Sequence, residues 1–176
     1  MAAEFEVVNS DSVPELHFRE AIGADCPRII ELVNAAYAIE TFLEGTRTDD
    51  ERLSGMMQTG RILLAESKAA EDGSMELLGC VYAQVDNTRG YLGQLAVAPQ
   101  HQGLGLARRI LEAAENQLRS KGCEAVDITV LNLRPELLPL YRRFGYLETG
   151  IVEEFRPTRQ LAPGVQVHGM KMSKSL

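Results

Sequence analysis

LAVAPQHQGLGLARRILEAAENQLRSK, residues 95–121, is the stretch whose reading decides the fold. Leu95, Ala96 and Val97 read as the end of an apolar strand. Pro99 stops that strand, because proline has no N–H for a ladder and fixes its own φ. The turn Gln100-His101-Gln102-Gly103-Leu104-Gly105 then feeds a helix. Leu104, Ala107, Ile110, Leu111, Ala114 and Leu118 recur at steps of three and four, with Arg108, Glu112, Glu115 and Arg119 between them. That period gives one apolar and one charged face. Lys121 in the last turn and Gly122 just past it close the helix.

Such a turn has a physical use. The first N–H groups of a helix lack internal partners, and the macrodipole places about half a positive charge there. Glycines let an anion approach the backbone closely. Gln102, Gly103, Leu104, Gly105, Leu106 and Ala107 are therefore candidates to present N–H groups to a diphosphate, with Arg108 adding charge at the mouth. A GxG before a helix also serves as a plain structural turn, so spacing alone leaves both uses open. A Rossmann fingerprint would need a third glycine where Arg108 stands, and a P-loop would need Gly-Lys-Ser/Thr, which is absent.

The wording of the run is more specific than its spacing. Gln100-x-x-Gly103-x-Gly105, set in V-x-P-x-x-Q-G-L-G-x-A, strongly resembles the acetyl-CoA-binding motif Gln/Arg-x-x-Gly-x-Gly/Ala of the GNAT superfamily of N-acetyltransferases. Leu140-Tyr141-Arg142-Arg143-Phe144-Gly145-Tyr146 is similar to the LYxxxGF segment of that family, in the usual order and at about the usual separation. The resemblance runs from about Leu16 to the C-terminus. It implies acetyl-CoA as acyl donor, an amine acceptor, and direct nucleophilic attack in a ternary complex. It also implies that the strand holding Leu95, Ala96 and Val97 pairs with the pantetheine arm, Leu95 and Val97 supplying backbone hydrogen bonds.

Composition sets the outer bounds. The chain of 176 residues, 45% hydrophobic and 24% charged, suits one soluble domain over residues 1–176. No apolar run reaches the roughly 20 residues of a membrane span, and the acidic start MAAEFEVVNSDS is unlike a signal peptide. Cys26, Cys80 and Cys123 have no CxxC spacing, which points to reduced thiols in a cytoplasmic setting. His17, His101 and His168 are scattered, so no metal site is expected. A net charge of −7 speaks against nucleic acid and slightly for a cationic acceptor. A monomer and a homodimer fit equally.

Along the chain, residues 1–15 read as loosely ordered and 16–22 as a first strand. Asp25 ahead of Pro27 reads as a cap for a helix over 25–38. Thr48-Asp49-Asp50-Glu51 reads as a capping box for a second helix to about Gln58. RILLAES is a strand and KAAEDGS a turn. Residues 76–85 and 90–97 pair as a hairpin, and 125–131 form a buried strand. A short helix from Pro135 ends near Phe144. Strands over 146–152 and 165–172 follow, with a loop over 153–164 between them. The order β-α-α-β-β-β-α-β-α-β-β predicts an α+β fold: a mixed, mostly antiparallel sheet of about seven strands with helices on both faces. The GNAT fold shares this order.

Acetyl transfer needs a neutral amine, a polarised thioester carbonyl and a proton for the departing sulfur. By the resemblance, Tyr141 is the general acid. The family's usual cofactor-contacting Asn falls at Arg134, and Asn132 lies two residues earlier; both are candidate cofactor contacts. The family's carboxylate positions fall in Tyr91-Leu92-Gly93-Gln94 and at Thr129, so no general base is evident. Glu40, Glu44, Asp86, Glu153 and Glu154 are the nearby alternatives. Without a base, a non-catalytic acyl-CoA-binding module on the same fold is the competing function. The resemblance places the acceptor side in residues 38–47, in 153–164 and at the last hairpin with His168. Tyr37, Glu40, Phe42 and Glu44 are expected there as a cation-friendly rim.

Overall fold

In a computed structural model, the structure describes residues 14–68, 73–155 and 159–176. All but Pro14 and Glu15 of the N-terminus expected to be loosely ordered over 1–15, most of the KAAEDGS turn and part of the 153–164 loop lie outside those residues. In chain order come β1 (His17–Glu20), α1 (Cys26–Ala36), α2 (Asp50–Thr59), β2 (Arg61–Lys68), β3 (Met75–Asp86) and β4 (Arg89–Val97). Then follow α3 (Leu106–Ser120), β5 (Ala125–Leu131), α4 (Leu137–Arg143), β6 (Leu147–Glu154) and β7 (His168–Ser175). The seven strands form one sheet in the order β1-β2-β3-β4-β5-β7-β6. Only β4 and β5 run parallel. The expected architecture is the observed one.

Each face of the sheet has its own core. Ile29, Leu32, Val33 and Leu53 from α1 and α2 pack on Ile62, Leu64, Cys80, Tyr82 and Ala96. On the other face, Leu106, Ile110, Leu111, Ala114 and Leu118 of α3 pack on Leu63, Val81, Leu92, Val126, Ile128 and Val130. Leu137, Leu138 and Tyr141 of α4 join that second core. Two glycines permit close approach to α3. A Cβ on Gly79 would meet Ile110 Cδ1 at 2.5 Å and Ala96 O at 2.8 Å; one on Gly90 would meet Leu118 Cδ1 at 2.5 Å.

Local expectations shift where tertiary partners intervene. Asn34 brackets Thr48, accepting from its N–H at 2.9 Å and donating to its carbonyl at 3.1 Å. Thr48 is thereby held out of the helix start, and Asp49 becomes the N-cap, accepting from Arg52 N at 2.9 Å. Asp25 stands at the N-cap of α1, but its side chain makes no capping bond there. Its carboxylate takes two bonds from Arg19, at 2.7 and 2.8 Å, and one from Ile22 N at 2.9 Å. Leu104 stands in the turn before α3 and is 42% exposed rather than part of the helix face. Glu115 is buried, not solvated: Tyr146 Oη donates to it at 2.7 Å and Lys174 Nζ at 2.6 Å. The last strand begins at His168 and ends at Ser175, because β5 pairs with it from Leu131↔Gly169 to Ala125↔Ser175.

Two irregularities open the sheet. The parallel ladder between β4 and β5 has three rungs, Arg89↔Ala125, Gly90↔Val126 and Tyr91↔Asp127, and then the strands part. On the other edge of β4 the register with β3 slips between Cys80 and Tyr82, and Gln94 takes φ +48°. A bulge of this kind bends the strand and leaves a residue out of the ladder. The second half of β4 therefore turns away from β5, leaving its outer edge for another partner.

Candidate active site

Three cavities meet along this splay. The first, of about 530 Å³, is lined by Gln102, Gly103, Gly105, Leu106, Ala107 and Arg108 from the turn and α3, with His101 and Arg143 at its edge. Gly103 and Gly105 sit at φ +83° and +75°, and a Cβ on either would touch nothing within 4 Å. The glycines are thus required by backbone conformation, and the space over them is open. Gly105 is the N-cap of α3, and the first N–H with an intrahelical acceptor is that of Arg109, bonded to Gly105 O at 3.4 Å. The amides of Leu106, Ala107 and Arg108 have no intrahelical acceptor, as the physics of a helix start dictates. Leu104 does not line this cavity, and the Arg108 side chain is bonded to Glu112 at 2.8 Å.

The second cavity, of about 270 Å³, fills the splay itself. It shares Tyr37, Leu95, Arg134, Leu137 and Tyr141 with the first. Two strand carbonyls on this edge already hold side-chain donors: Tyr37 Oη donates to Leu95 O at 3.0 Å and Gln102 Nε2 to Val97 O at 3.1 Å. Each carbonyl keeps a second lone pair. Ala96, between them, is buried in the α1/α2 core. Tyr141 lies where the two cavities join. Its ring packs edge-on against Phe144 and Tyr146, at centroid distances of 6.2 and 5.8 Å. Burial pushes the Tyr141 phenol up to about 12; Tyr91 adds to the rise and Arg134 opposes it.

Arg134 and Asn132, equal candidates on sequence, part company. Arg134 lines both cavities, bonded to Glu40 at 3.1 Å and Glu136 at 2.6 Å. Asn132 lines neither; it accepts from His168 N at 2.9 Å and donates to Gln166 O at 3.3 Å, bracing the start of β7.

Of the carboxylate candidates, Glu40, Glu153 and Glu154 line the splay cavity. Glu40 is buried and held by Arg47 at 3.4 Å, Arg134 at 3.1 Å and Arg159 at 4.0 Å, so it balances cations rather than forming a cation-friendly rim. Glu44 is exposed and Asp86 sits in the β3–β4 hairpin. Glu153 on β6 accepts from Thr129 Oγ1 of β5 at 2.9 Å. The two meet across Gly169 of β7, where any Cβ would strike the Thr129 methyl. Tyr91 borders the same spot. Burial raises its phenol, a Thr129 hydrogen bond lowers it, and the Glu153 charge raises it again.

The third cavity, of about 500 Å³, opens beyond Tyr91, Gly93 and Gln94, and shares those residues, Arg47 and Phe155 with the splay cavity. Two of the three regions expected on the acceptor side, 38–47 and 153–164, come together here; His168 of the third lines neither this cavity nor the splay cavity. Glu44 N donates to Gln160 O at 2.9 Å, Ala162 N to Phe42 O at 3.1 Å, and Arg159 Nη1 to Gly45 O at 2.9 Å. Sequence reading did not single out Tyr91, Arg47 or Arg159 as site residues, although Arg47 and Arg159 lie in the regions expected on the acceptor side; no local period distinguishes them. Among the described residues no group of His, Cys, Asp and Glu is placed to hold a metal, and no helix is long and apolar enough to cross a membrane.

Residues 27–146 match the model of the acetyltransferase (GNAT) family. Among solved structures, the ribosomal-protein-alanine N-acetyltransferase from Brucella melitensis is similar at TM-score 0.67 and 19% identity, over 92% of this chain and 100% of that one. The IAA acetyltransferase from Bacillus cereus follows at 0.65 and 15%, over 92% and 100%. Nourseothricin acetyltransferase follows at 0.65 and 20%, over 91% and 98%. At these identities the likeness is one of fold.

Proposed function

This chain belongs to the GNAT acetyltransferase family, whose donor is an acyl-CoA, and from that premise we propose that it moves acetyl from acetyl-CoA to a primary amine by direct attack. What supports this reading is that the turn-and-helix cavity and the splay cavity join at Tyr141. Donor and acceptor then approach from opposite sides and react in a ternary complex. We take the working unit as one domain in a cytoplasmic setting, which the free thiols of Cys26, Cys80 and Cys123 suit.

The diphosphate lies against the amides of Leu106, Ala107 and Arg108, with His101 and Arg143 at the rim. The pantetheine arm takes the open edge of β4 beside Leu95 and Val97. The bulge at Gln94 frees a backbone N–H near Leu95 to polarise the thioester carbonyl. Glu153, held by Thr129, takes the proton that the attacking amine must lose. The C–N bond forms, the tetrahedral adduct collapses, and the C–S bond breaks.

Tyr141 serves the leaving sulfur. With its phenol raised to about 12, it is a neutral donor across the physiological range. A thiol titrates near ~8.5, so outright transfer from the phenol is uphill by roughly 5 kcal/mol. The phenol therefore stabilises the developing thiolate by hydrogen bonding, and passes its proton only as the amine's proton replaces it. The test is thiol release from acetyl-CoA over a panel of amines. Sustained release supports the enzyme; tight CoA binding without release identifies the non-catalytic module instead.

A further inference from the structure

The cavity beyond Tyr91 has an unbalanced charge. Arg47, Arg52 and Arg159 line it, and no carboxylate does among the described residues; Arg52 is paired with Asp49 at 2.6 Å, so the excess charge rests on Arg47 and Arg159. Glu40, behind them, is divided among Arg47, Arg134 and Arg159, the last at 4.0 Å. The Arg159 side chain is 8% exposed, and burial together with the nearby Arg47 guanidinium pulls its pKa down. Two lining residues carry buried donors with no hydrogen-bond partner among the described residues: Arg159 Nη2 and Thr48 Oγ1. Buried donors of this kind are costly unless something satisfies them. The rest of the wall is largely apolar, with Leu43, Met56 and Phe155. Charge of the other sign lies deeper, where Glu153 and Glu154 line the splay cavity.

We propose that this cavity is an anion subsite, and that the acceptor is a small primary amine carrying a carboxylate on a partly apolar body. The inference rests on the acetyltransferase reading and names the acceptor class for it. The carboxylate docks against Arg159, Arg47 and the Thr48 hydroxyl, giving the orphaned donors their acceptors. Charge-assisted bonds from guanidinium to carboxylate are the strong kind. The amine passes Tyr91 and Gln94 toward Glu153. Such an acceptor matches the site, positive outside and negative inside. A polyamine would put a second ammonium among three arginines, so the cationic acceptor suggested by net charge is disfavoured by the local field.

The test compares acceptors that differ only in charge. 4-Aminobutyrate, 6-aminohexanoate and phenylalanine are each run against their own carboxamides, with spermidine as the cationic arm. The expected result is kcat/KM at least tenfold higher for the best carboxylate than for its amide, with spermidine slowest. In Arg159→Met the carboxylate-to-amide ratio falls toward one, and Arg52→Met, at a less buried position, lowers it in the same direction. Equal rates within every pair overturn the subsite and leave acetyl transfer standing. So does a faster amide or polyamine, or rejection of every carboxylate by a protein that acetyl-CoA still stabilises. Absence of thiol release with every amine, in a protein whose melting acetyl-CoA does not raise, overturns the enzyme reading and this inference with it.

Discussion

Replacing Tyr141 by Phe separates chemistry from structure unusually well here. The ring contacts Phe144 and Tyr146 edge-on, at 6.2 and 5.8 Å, and phenylalanine keeps both. Among the described residues no hydrogen bond is made by the Tyr141 hydroxyl, so its removal orphans no protein group. Stability should therefore change by less than about 0.5 kcal/mol, in contrast to a buried tyrosine that bonds a partner. On the proposed role, what is lost is the donor to the leaving sulfur, and a positioned acid contributes about 10²–10⁴-fold. The expected outcome is kcat lower by about 10²-fold or more, with the KM for acetyl-CoA nearly unchanged and an unaltered melting curve. The raised phenol adds a pH criterion. Tyr141 loses its proton only near pH 12, so its ionisation produces no fall in kcat between pH 8 and 10. Steady-state thiol release across that range reads both quantities. A variant with kcat within threefold of the parent would remove Tyr141 from the reaction.

Other perturbations have equally definite outcomes. Gly105→Glu meets no atom within 4 Å of the new Cβ, so its folding cost is the φ +75° strain of about 1–2 kcal/mol. Calorimetry should show a folded protein that no longer binds acetyl-CoA. Glu153→Gln should lower the rate near pH 7 by about 10²-fold, with recovery as pH rises and the amine deprotonates in solution. Tyr146→Phe strips one bond from the buried Glu115 carboxylate and should cost about 1.5–3 kcal/mol in urea unfolding. Arg19 lowers the Asp25 carboxyl from 3.8 to about 2. A folded value below the unfolded one stabilises above about pH 4 and is lost as pH falls toward 2, so Asp25→Asn should flatten acid unfolding in that window.

The turn and helix around Gly103 and Gly105 were legible because their signals are local: a strand stop, two glycines and an apolar period within one stretch. The order of elements along the chain and the helices on both faces followed from the same kind of reading, whereas the placing of β7 between β5 and β6 did not. Tertiary pairing was not legible. Glu115 occupies an ordinary position on the α3 wheel, and only Tyr146 and Lys174, brought in from distant strands, bury it. Glu40 looks like an acidic rim residue until Arg47, Arg134 and Arg159 converge on it. Glu153 gains its place from a register in which β7 lies between β5 and β6 with a glycine at the crossing point. Asn132 and Arg134 share a short segment, yet one braces β7 and the other faces the cavities.

The three-rung ladder between β4 and β5 leaves the sheet as two panels joined at one end like a partly closed zip. On the proposed reading, a thioester carrier lying in the gap would take the part of an eighth strand, its amides continuing the stitching where protein pairing stops. Proton exchange at the amides of Leu95 and Val97 would then slow sharply on loading, while the already laddered Gly90 would scarcely respond.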